Sequence, residues 1–508
     1  MSLKNKFIAG FGWNTLTVAS QSIIQLVYVA FLARLISQEA FALMGVALSL
    51  VGFAEIFSQI GFGPALIQRK EITQEHINGA FFTSVILGVA FTLGFVLAAP
   101  SIAEYYAIPE LEPVIQVISI SFTLSALAIV PKSLLFKKMD FKKFFTAAVV
   151  SIVGGNLIVG LTLAFLDYDV WAYVWALFVQ GALMAIMTWV LNPIKITWKW
   201  SWEHTHQLVR YGGGSTLFNS LNYLATRLDV LLVPKLTTGT SPRHNENLGQ
   251  AGVYERSTYM MMIPVTIMGK LADNVMFSGM SIIQEDKVRL RKAYASATYI
   301  ISLLLMPACV FVILFAEEIV LLYLGKGYVS AIPVVQVLFA VVAFRSLIKL
   351  SDSLLRAVDE VYRGSIIKFL FLAFIALGTW IGIDWGITGV AVGVAIATVL
   401  QYIMMMVFCK SLIGVSYSNL LRKMSPGLAV SAFVALISWP VFWLSETYEL
   451  ANWLTLLIAV GVNGLGVIVL IFAIPTILGQ GNDNILMLVA QKLPDNKIIR
   501  SVLTRLNR

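Results

Sequence analysis

Almost from end to end, the chain consists of apolar runs of about twenty residues separated by short polar connections. A run of that length is what an α-helix needs to cross the roughly 30 Å hydrocarbon core of a bilayer. Backbone in lipid must satisfy its own hydrogen bonds, so only helices and closed barrels span it, and continuous rather than alternating apolarity selects helices. Fourteen such runs are read, near residues 7–33, 40–67, 79–99, 111–131, 144–166, 170–191, 208–233, 251–275, 294–316, 331–351, 364–383, 386–408, 427–444 and 453–475. The fold class expected is all-α, a polytopic membrane protein with about 14 transmembrane helices. Composition agrees: only 12% of residues are charged, against roughly a quarter in soluble domains. The first run is longer than a signal-peptide core and ends without a small-residue cleavage site, so it reads as a retained span.

The net charge of +9 does not point to nucleic acid, because the basic residues are scattered among short loops without a recognition motif. Their distribution is nonetheless informative. The N-terminus and the loops after even-numbered runs, counted with Arg210 and Lys349 at the adjoining run ends, hold 27 of the 36 lysines and arginines, whereas the loops after odd-numbered runs hold only Arg34, Lys235, Arg243 and Lys326. Cytoplasmic loops collect Lys and Arg, so both termini are expected inside the cell. No soluble segment is long enough for a catalytic core; the longest are the loop 237–250 and the tail after Pro475. The tail, with NILMLVAQKL and NKIIRSVLTRL, has apolar residues at helical spacing and reads as interfacial helix, with partner docking as the other reading. Trp198, Trp200 and Trp202 read as headgroup-level anchors. Cys309 and Cys409 lie inside apolar runs and read as buried small hydrophobes. No nucleotide-binding loop, metal-ligand cluster or nucleophile with a base partner is present in the sequence, and no cofactor is expected.

Residues 208–233 are the most polar of the runs. They contain Gly212 to Gly214, Arg227 and Asp229. A charge at mid-membrane costs about 2.5 to 3.5 kcal/mol on insertion scales, so these two should face protein or a water-filled cavity. Two residues apart on a helix they differ by about 200°, so they cannot line the same face, and Arg227 is the one assigned to the cavity. Arg227, with Arg34 and Arg256, is expected toward the outer half, and Arg345 and Lys270 deeper inside, Lys270 either in a cavity or at the interface. Arg34 and Arg256 sit at outer ends, where Arg34 either snorkels or binds cargo and Arg256 either binds cargo or pairs with Glu255. Among the acids, Glu55, Asp229 and Asp273 are candidates for ion coupling or for pairing with a cavity arginine. Lys349, Asp352 and Arg356 have the spacing of a helical ion-pair ladder. Pro264, Pro307 and Pro333 predict kinks.

A weak internal repeat pairs Phe11-Gly12 with Tyr211-Gly212 and Ala40 to Leu43 with Ala251 to Tyr254, six spans apart, as a duplicated transporter would show. More specific are Ala33-Arg34-Leu35-Ile36 before Phe41, Ile60 to Gly63 with Ala65 to Arg69, Phe136 to Lys142, and Val253-Tyr254-Glu255-Arg256 through Pro264 to Ser281-Ile282-Ile283-Gln284. With these residues the chain resembles, over essentially its whole length, the polysaccharide transporter branch of the multidrug/oligosaccharidyl-lipid/polysaccharide exporter superfamily, the Wzx-like lipid-linked oligosaccharide flippases. Ala42, Lys137-Lys138 and Ser278 depart from the residues usual there. The resemblance implies two six-helix lobes plus two C-terminal helices: a lobe and linker over 1–207, a second lobe over 208–424, two spans over 425–476 and a cytoplasmic tail over 477–508. It implies movement of an undecaprenyl-linked or similar glycan from the cytoplasmic to the outer leaflet of the inner membrane by alternating access. Membrane lipids and polysaccharide polymerase or export machinery are the expected partners, nucleic acid is not, and the chain is expected to be a monomer. Guanidinium groups bind phosphates and acidic sugars bidentately, which makes Arg34, Arg227, Arg256 and Arg345, with Lys270, the cargo-binding candidates. The competing reading is a cation-coupled multidrug or small-molecule exporter, which should display acids as its main cavity charges; a scaffold or a glycan polymerase is a third.

Overall fold

The computed structural model describes residues 3–59, 62–68, 72–197, 220–237 and 244–473, and these form helices and short turns with no strand among them. The start of the seventh run with its three glycines, the Trp198 to Trp202 anchors, residues 238–243 of the loop 237–250 and the tail lie outside the described residues.

Ten helices among the described residues are long and apolar enough to cross a membrane, or eleven if the bent pair Ala331–Phe339 and Val342–Ala357 is one span. That measure does not reach fourteen crossings. It counts Tyr362–Ile413 once, although a 3₁₀ turn at Ile383–Trp385 divides that run into Val361–Gly382 and Gly386–Ile413. The turn needs glycine. Gly386 has φ +69°, and a Cβ on Gly382 would lie 2.4 Å from the carbonyl oxygen of Gly389. The helices 220–237 and His244–Leu271 also stand apart from the ten, the first carrying Arg227, Asp229 and Lys235 and the second Glu255, Arg256 and Lys270.

Other elements differ from expectation in detail. The run read as 40–67 is the helix Gln38–Gln59 followed by a separate short helix, Phe62–Gln68. The predicted kink at Pro333 is absent there, because Pro333 sits in the first turn of its helix, where the missing N–H has no intrahelical partner to lose. The 45° bend comes instead between Phe339 and Val342.

The described residues divide into two compact units, one of Met1–Arg256 with Ile375–Val390 and the other of Ser257–Phe374 with Ala391–Arg508. In the first, Gln74–Tyr106 packs along Leu111–Lys137, which in turn packs on Val170–Leu191 and Gln38–Gln59. The helix Phe141–Phe165 contains a π-helical stretch, Val153–Gly160. Its glycines allow close approach: a Cβ on Gly155 would lie 2.5 Å from the Ala176 carbonyl oxygen. Asn156, in the same stretch, donates to Gln25 of the first helix at 3.0 Å. Ser37 caps Gln38–Gln59 by accepting from the Ala40 amide at 3.1 Å, and both its N–H and its hydroxyl donate to the Asp169 carboxylate. In the second unit, Lys287–Leu314, capped by Asp286, packs along Tyr417–Thr447, which packs on Asn452–Ala473.

Candidate transport cavity

Within the first unit, Gln38–Gln59, Leu111–Lys137 and Val170–Leu191 line an open-sided cavity of about 380 Å³. Most of its wall is aliphatic, as expected of helices whose other faces meet lipid. The polar groups on it are Glu55, Ser121, Ser125 and Gln180, with Phe178 as the aromatic surface. Ser121 and Ser125 are four residues apart, so one helix face presents both. The side-chain oxygen Oε1 of Gln180 is buried without a hydrogen-bond partner.

Helix 220–237 brings Tyr223 against the first of these walls. Its hydroxyl donates to the Leu48 carbonyl at 3.2 Å, and its ring lies 6.5 Å from that of Phe53. A Cβ on Gly52 would lie 2.1 Å from the same hydroxyl, so the glycine is what admits the tyrosine. The charges of Arg227 and Glu55 both act on Tyr223, which places the two ionisable groups in one neighbourhood. Arg227 is half-buried. Asp229, by contrast, is buried and accepts a 2.8 Å hydrogen bond from Tyr254. The two residues thus occupy different surroundings, as their separation around the helix requires.

Arg256 is the largest fully buried side chain among the described residues, 1% exposed. It pairs with Glu255 and lies with its guanidinium 4.2 Å above the ring of Phe41. Phe41 meets Tyr173 edge-on at 6.2 Å, and Tyr173 meets Tyr28 at 6.0 Å. Of the two readings of Arg256, the structure shows the pairing with Glu255. The span was read from residue 251, but the helix starts at His244, which puts Arg256 about 18 Å along it. Close packing holds this helix in place: a Cβ on Gly252 would lie 1.8 Å from the Gln38 carbonyl oxygen.

The remaining candidates are dispersed. Arg34 is exposed and donates to the Ala30 carbonyl of its own helix at 2.7 Å. Arg345, in the second unit, is buried, with its guanidinium 3.4 Å from the Thr398 hydroxyl and 3.8 Å from the Met262 sulfur. Lys270 is exposed in the last turn of His244–Leu271. Asp273 lies in the π-helical turn Ala272–Phe277, and its side chain is outside the described residues. The Lys349, Asp352, Arg356 ladder gives way to a different pair. The Asp352 carboxylate takes the Lys368 ammonium at 2.8 Å, with both side chains nearly inaccessible, while Arg356 donates to the main-chain oxygen of Asp352. Spacing along one helix cannot reveal a partner sixteen residues away on the next.

Tyr28, Tyr173, Tyr223, Gln180, Ser121 and Ser125 are not among the residues that the sequence alone singles out. A signal was present, since a glutamine and a row of tyrosines inside apolar runs are polar groups at membrane depth. Uncharged, they stand out less than an arginine.

Residues 31–333 match the family described as "Polysaccharide biosynthesis protein". The chain is similar to the lipopolysaccharide biosynthesis protein WzxC of Escherichia coli (strain K12), 26% identical over 436 residues, covering 82% of this chain and 84% of that protein. It is also similar to the succinoglycan biosynthesis transport protein ExoT of Rhizobium meliloti (strain 1021), 23% identical over 329 residues, 64% of each chain. Among solved structures it shares the fold of the lipid II flippase MurJ in its inward closed conformation, with a TM-score of 0.68 at 13% identity over 90% of this chain and 98% of that one. The match covers the helices that form the cavity, the helix that carries Arg227, and the residues on which the sequence resemblance rested from Ala33 to Gln284. This polytopic, all-helical chain belongs to the polysaccharide biosynthesis protein family.

Proposed function

We propose that this protein is a flippase that moves a lipid-linked oligosaccharide, the precursor of a polysaccharide, from the cytoplasmic to the outer leaflet of a bacterial inner membrane by alternating access. Membership of the family, over a match that includes every helix of the cavity, carries this reading. WzxC is named for lipopolysaccharide biosynthesis and ExoT for succinoglycan biosynthesis and transport. The geometry supports it by bringing Arg227 into the neighbourhood of Glu55, one of the polar groups on the cavity wall, within one unit.

In this reading Arg227 is the cation that meets the phosphate of an undecaprenyl-type carrier, because a guanidinium binds two anionic oxygens at once and strengthens in a dry site. Arg256 holds helices together through Glu255 and Phe41. Arg34, Arg345 and Lys270 contribute at other stages of the passage, and Glu55 rather than Asp229 or Asp273 is the acid nearest the cargo. Both termini are cytoplasmic, and the protein acts as a monomer beside polysaccharide polymerase or export machinery.

A host lacking the gene and complemented with Arg227→Ala tests the reading. Surface polysaccharide should fall about tenfold or more, with the variant at normal levels in the membrane, and Arg227→Lys should recover part of the loss. Normal polysaccharide in the Arg227→Ala strain removes the role of Arg227; normal polysaccharide in the deletion strain removes the flippase reading.

A further inference from the structure

The turn between Leu111–Lys137 and Phe141–Phe165 gathers positive charge outside the cavity. Five lysines, Lys132, Lys137, Lys138, Lys142 and Lys143, fall between residues 132 and 143, and all but the half-buried Lys137 are exposed. The acid in this stretch, Asp140, is occupied: its carboxylate caps the following helix by accepting from the Lys143 amide at 3.3 Å, and it lies 3.5 Å from the Lys143 ammonium. The backbone is fixed by the Met139 and Asp140 amides, which donate to the Phe136 and Leu135 carbonyls at 3.0 Å each. The Phe136 ring meets those of Phe141 and Phe144 at 5.4 and 4.7 Å, and Lys138 donates to Asn192 at 2.9 Å. At the tip, Met139 has φ +56° and is 41% exposed. Left-handed backbone is disfavoured for a residue with a Cβ, so the turn holds a large apolar side chain outward at a strained position among ammonium groups. That combination suits a lipid phosphate: the cations take the anion while the apolar tip enters the boundary between headgroups and acyl chains.

Lys132 connects this turn with the cavity. Its ammonium lies 5.8 Å from the centre of the Phe144 ring, beside the turn, and the charge of Glu55 acts on it. Along the same helix it stands about 10 Å from Ser125 of the cavity wall. Cations therefore run from the turn to the neighbourhood that Glu55 shares with Arg227. We infer that the turn is a loading site for the diphosphate of a polyprenyl-linked cargo in the cytoplasmic leaflet, with Lys132 the next cation on the way to Arg227. The inference rests on the flippase reading and its orientation, and adds a first station for the cargo outside the cavity. Bulk anionic phospholipid, with a single phosphodiester, is met by any of the scattered basic loops. A diphosphate can engage several ammonium groups at once, and the continuity toward Glu55 favours a lipid that goes on into the cavity.

The test measures lipid binding to the full-length protein by native mass spectrometry, with undecaprenyl diphosphate and phosphatidylglycerol as probes. Wild type should bind the diphosphate at least about tenfold more tightly than phosphatidylglycerol. The triple variant Lys138→Gln, Lys142→Gln, Lys143→Gln should lose about tenfold in diphosphate affinity, and the same three positions changed to Arg should stay within about threefold of wild type. Met139→Ser, which removes the apolar tip, should lose about threefold. An equal loss of charge on the second unit, Lys287→Gln, Arg289→Gln, Lys292→Gln, should change binding by no more than about twofold. Thermal unfolding of each variant separates lost binding from lost folding, and Lys142→Gln alone, at an exposed position, should still lose about twofold. The inference is overturned if the glutamine triple at the turn binds as wild type does, if the second-unit triple loses as much, or if phosphatidylglycerol binds as tightly as the diphosphate. Each of those results leaves the flippase reading standing, whereas normal polysaccharide in the deletion strain ends that reading whatever the lipid binding.

Discussion

A charge buried in a membrane protein is stable only in the company of its partner, and the pair Asp352 and Lys368 shows this most sharply. The ammonium and carboxylate are 2.8 Å apart with 2% and 4% of their side chains exposed. Removing one charge strands the other, which costs about 3 to 5 kcal/mol, whereas replacing both by apolar groups of similar size is close to neutral. Lys368→Met and Asp352→Leu should each lower the unfolding midpoint in detergent markedly, and the double variant should recover most of the loss, as a double-mutant cycle would measure. Additive losses would show that the pair is not coupled. The residues most legible in the sequence were those whose constraint is local. Asp229 and Arg227 had to diverge because the helix turns about 100° per residue, and Asp229 duly meets Tyr254. Lys368 stood at the margin of its predicted span, and its partner is set by how two helices pack, which no spacing within one helix encodes.

At the scale of elements, apolar length located nearly every described helix but not its ends. His244–Leu271 begins seven residues before the apolar run read from the sequence, because its first two turns are polar. Arg256 consequently lies inside the protein instead of at its edge. What anchors that helix is Gly252 against the main chain of Gln38, with Gly45 matching it from the other side, where a Cβ would lie 2.7 Å from Glu255 Cγ. Such contacts depend on small residues, since helix association in lipid relies on close van der Waals approach. Gly252→Ala must move a backbone carbonyl 1.8 Å away, and overpacking of this kind costs about 1 to 3 kcal/mol or more. The expected outcome is a lower thermal midpoint and reduced surface polysaccharide. Gly461→Ala, where the space is open, should leave both unchanged. Equal behaviour of the two variants would show that the Gln38 contact is unimportant. The π-helical stretch Val153–Gly160 and the bend after Phe339 were invisible to apolar length, because both are departures of backbone geometry inside continuous apolar sequence.

For the molecule as a whole, the arrangement in the membrane follows from charge more than from hydropathy. Basic residues favour the cytoplasmic side because they are poorly translocated, and 27 of 36 belong to the N-terminus, the loops after even-numbered runs and the adjoining run ends. The assignment puts Lys143 inside and Lys326 outside, and both side chains are exposed. The protein is suited to a direct measurement, because its two native cysteines, Cys309 and Cys409, are buried and should label slowly. In spheroplasts, a membrane-impermeant maleimide should modify Lys326→Cys and leave Lys143→Cys untouched until the cells are permeabilised. The reverse pattern would invert the topology. It would also reverse the leaflet from which the Arg227 neighbourhood is loaded, and so the direction of transport proposed from it. Labelling of both positions in intact spheroplasts would mean that an even number of crossings separates them, contradicting the alternation on which the cytoplasmic assignment of both termini depends.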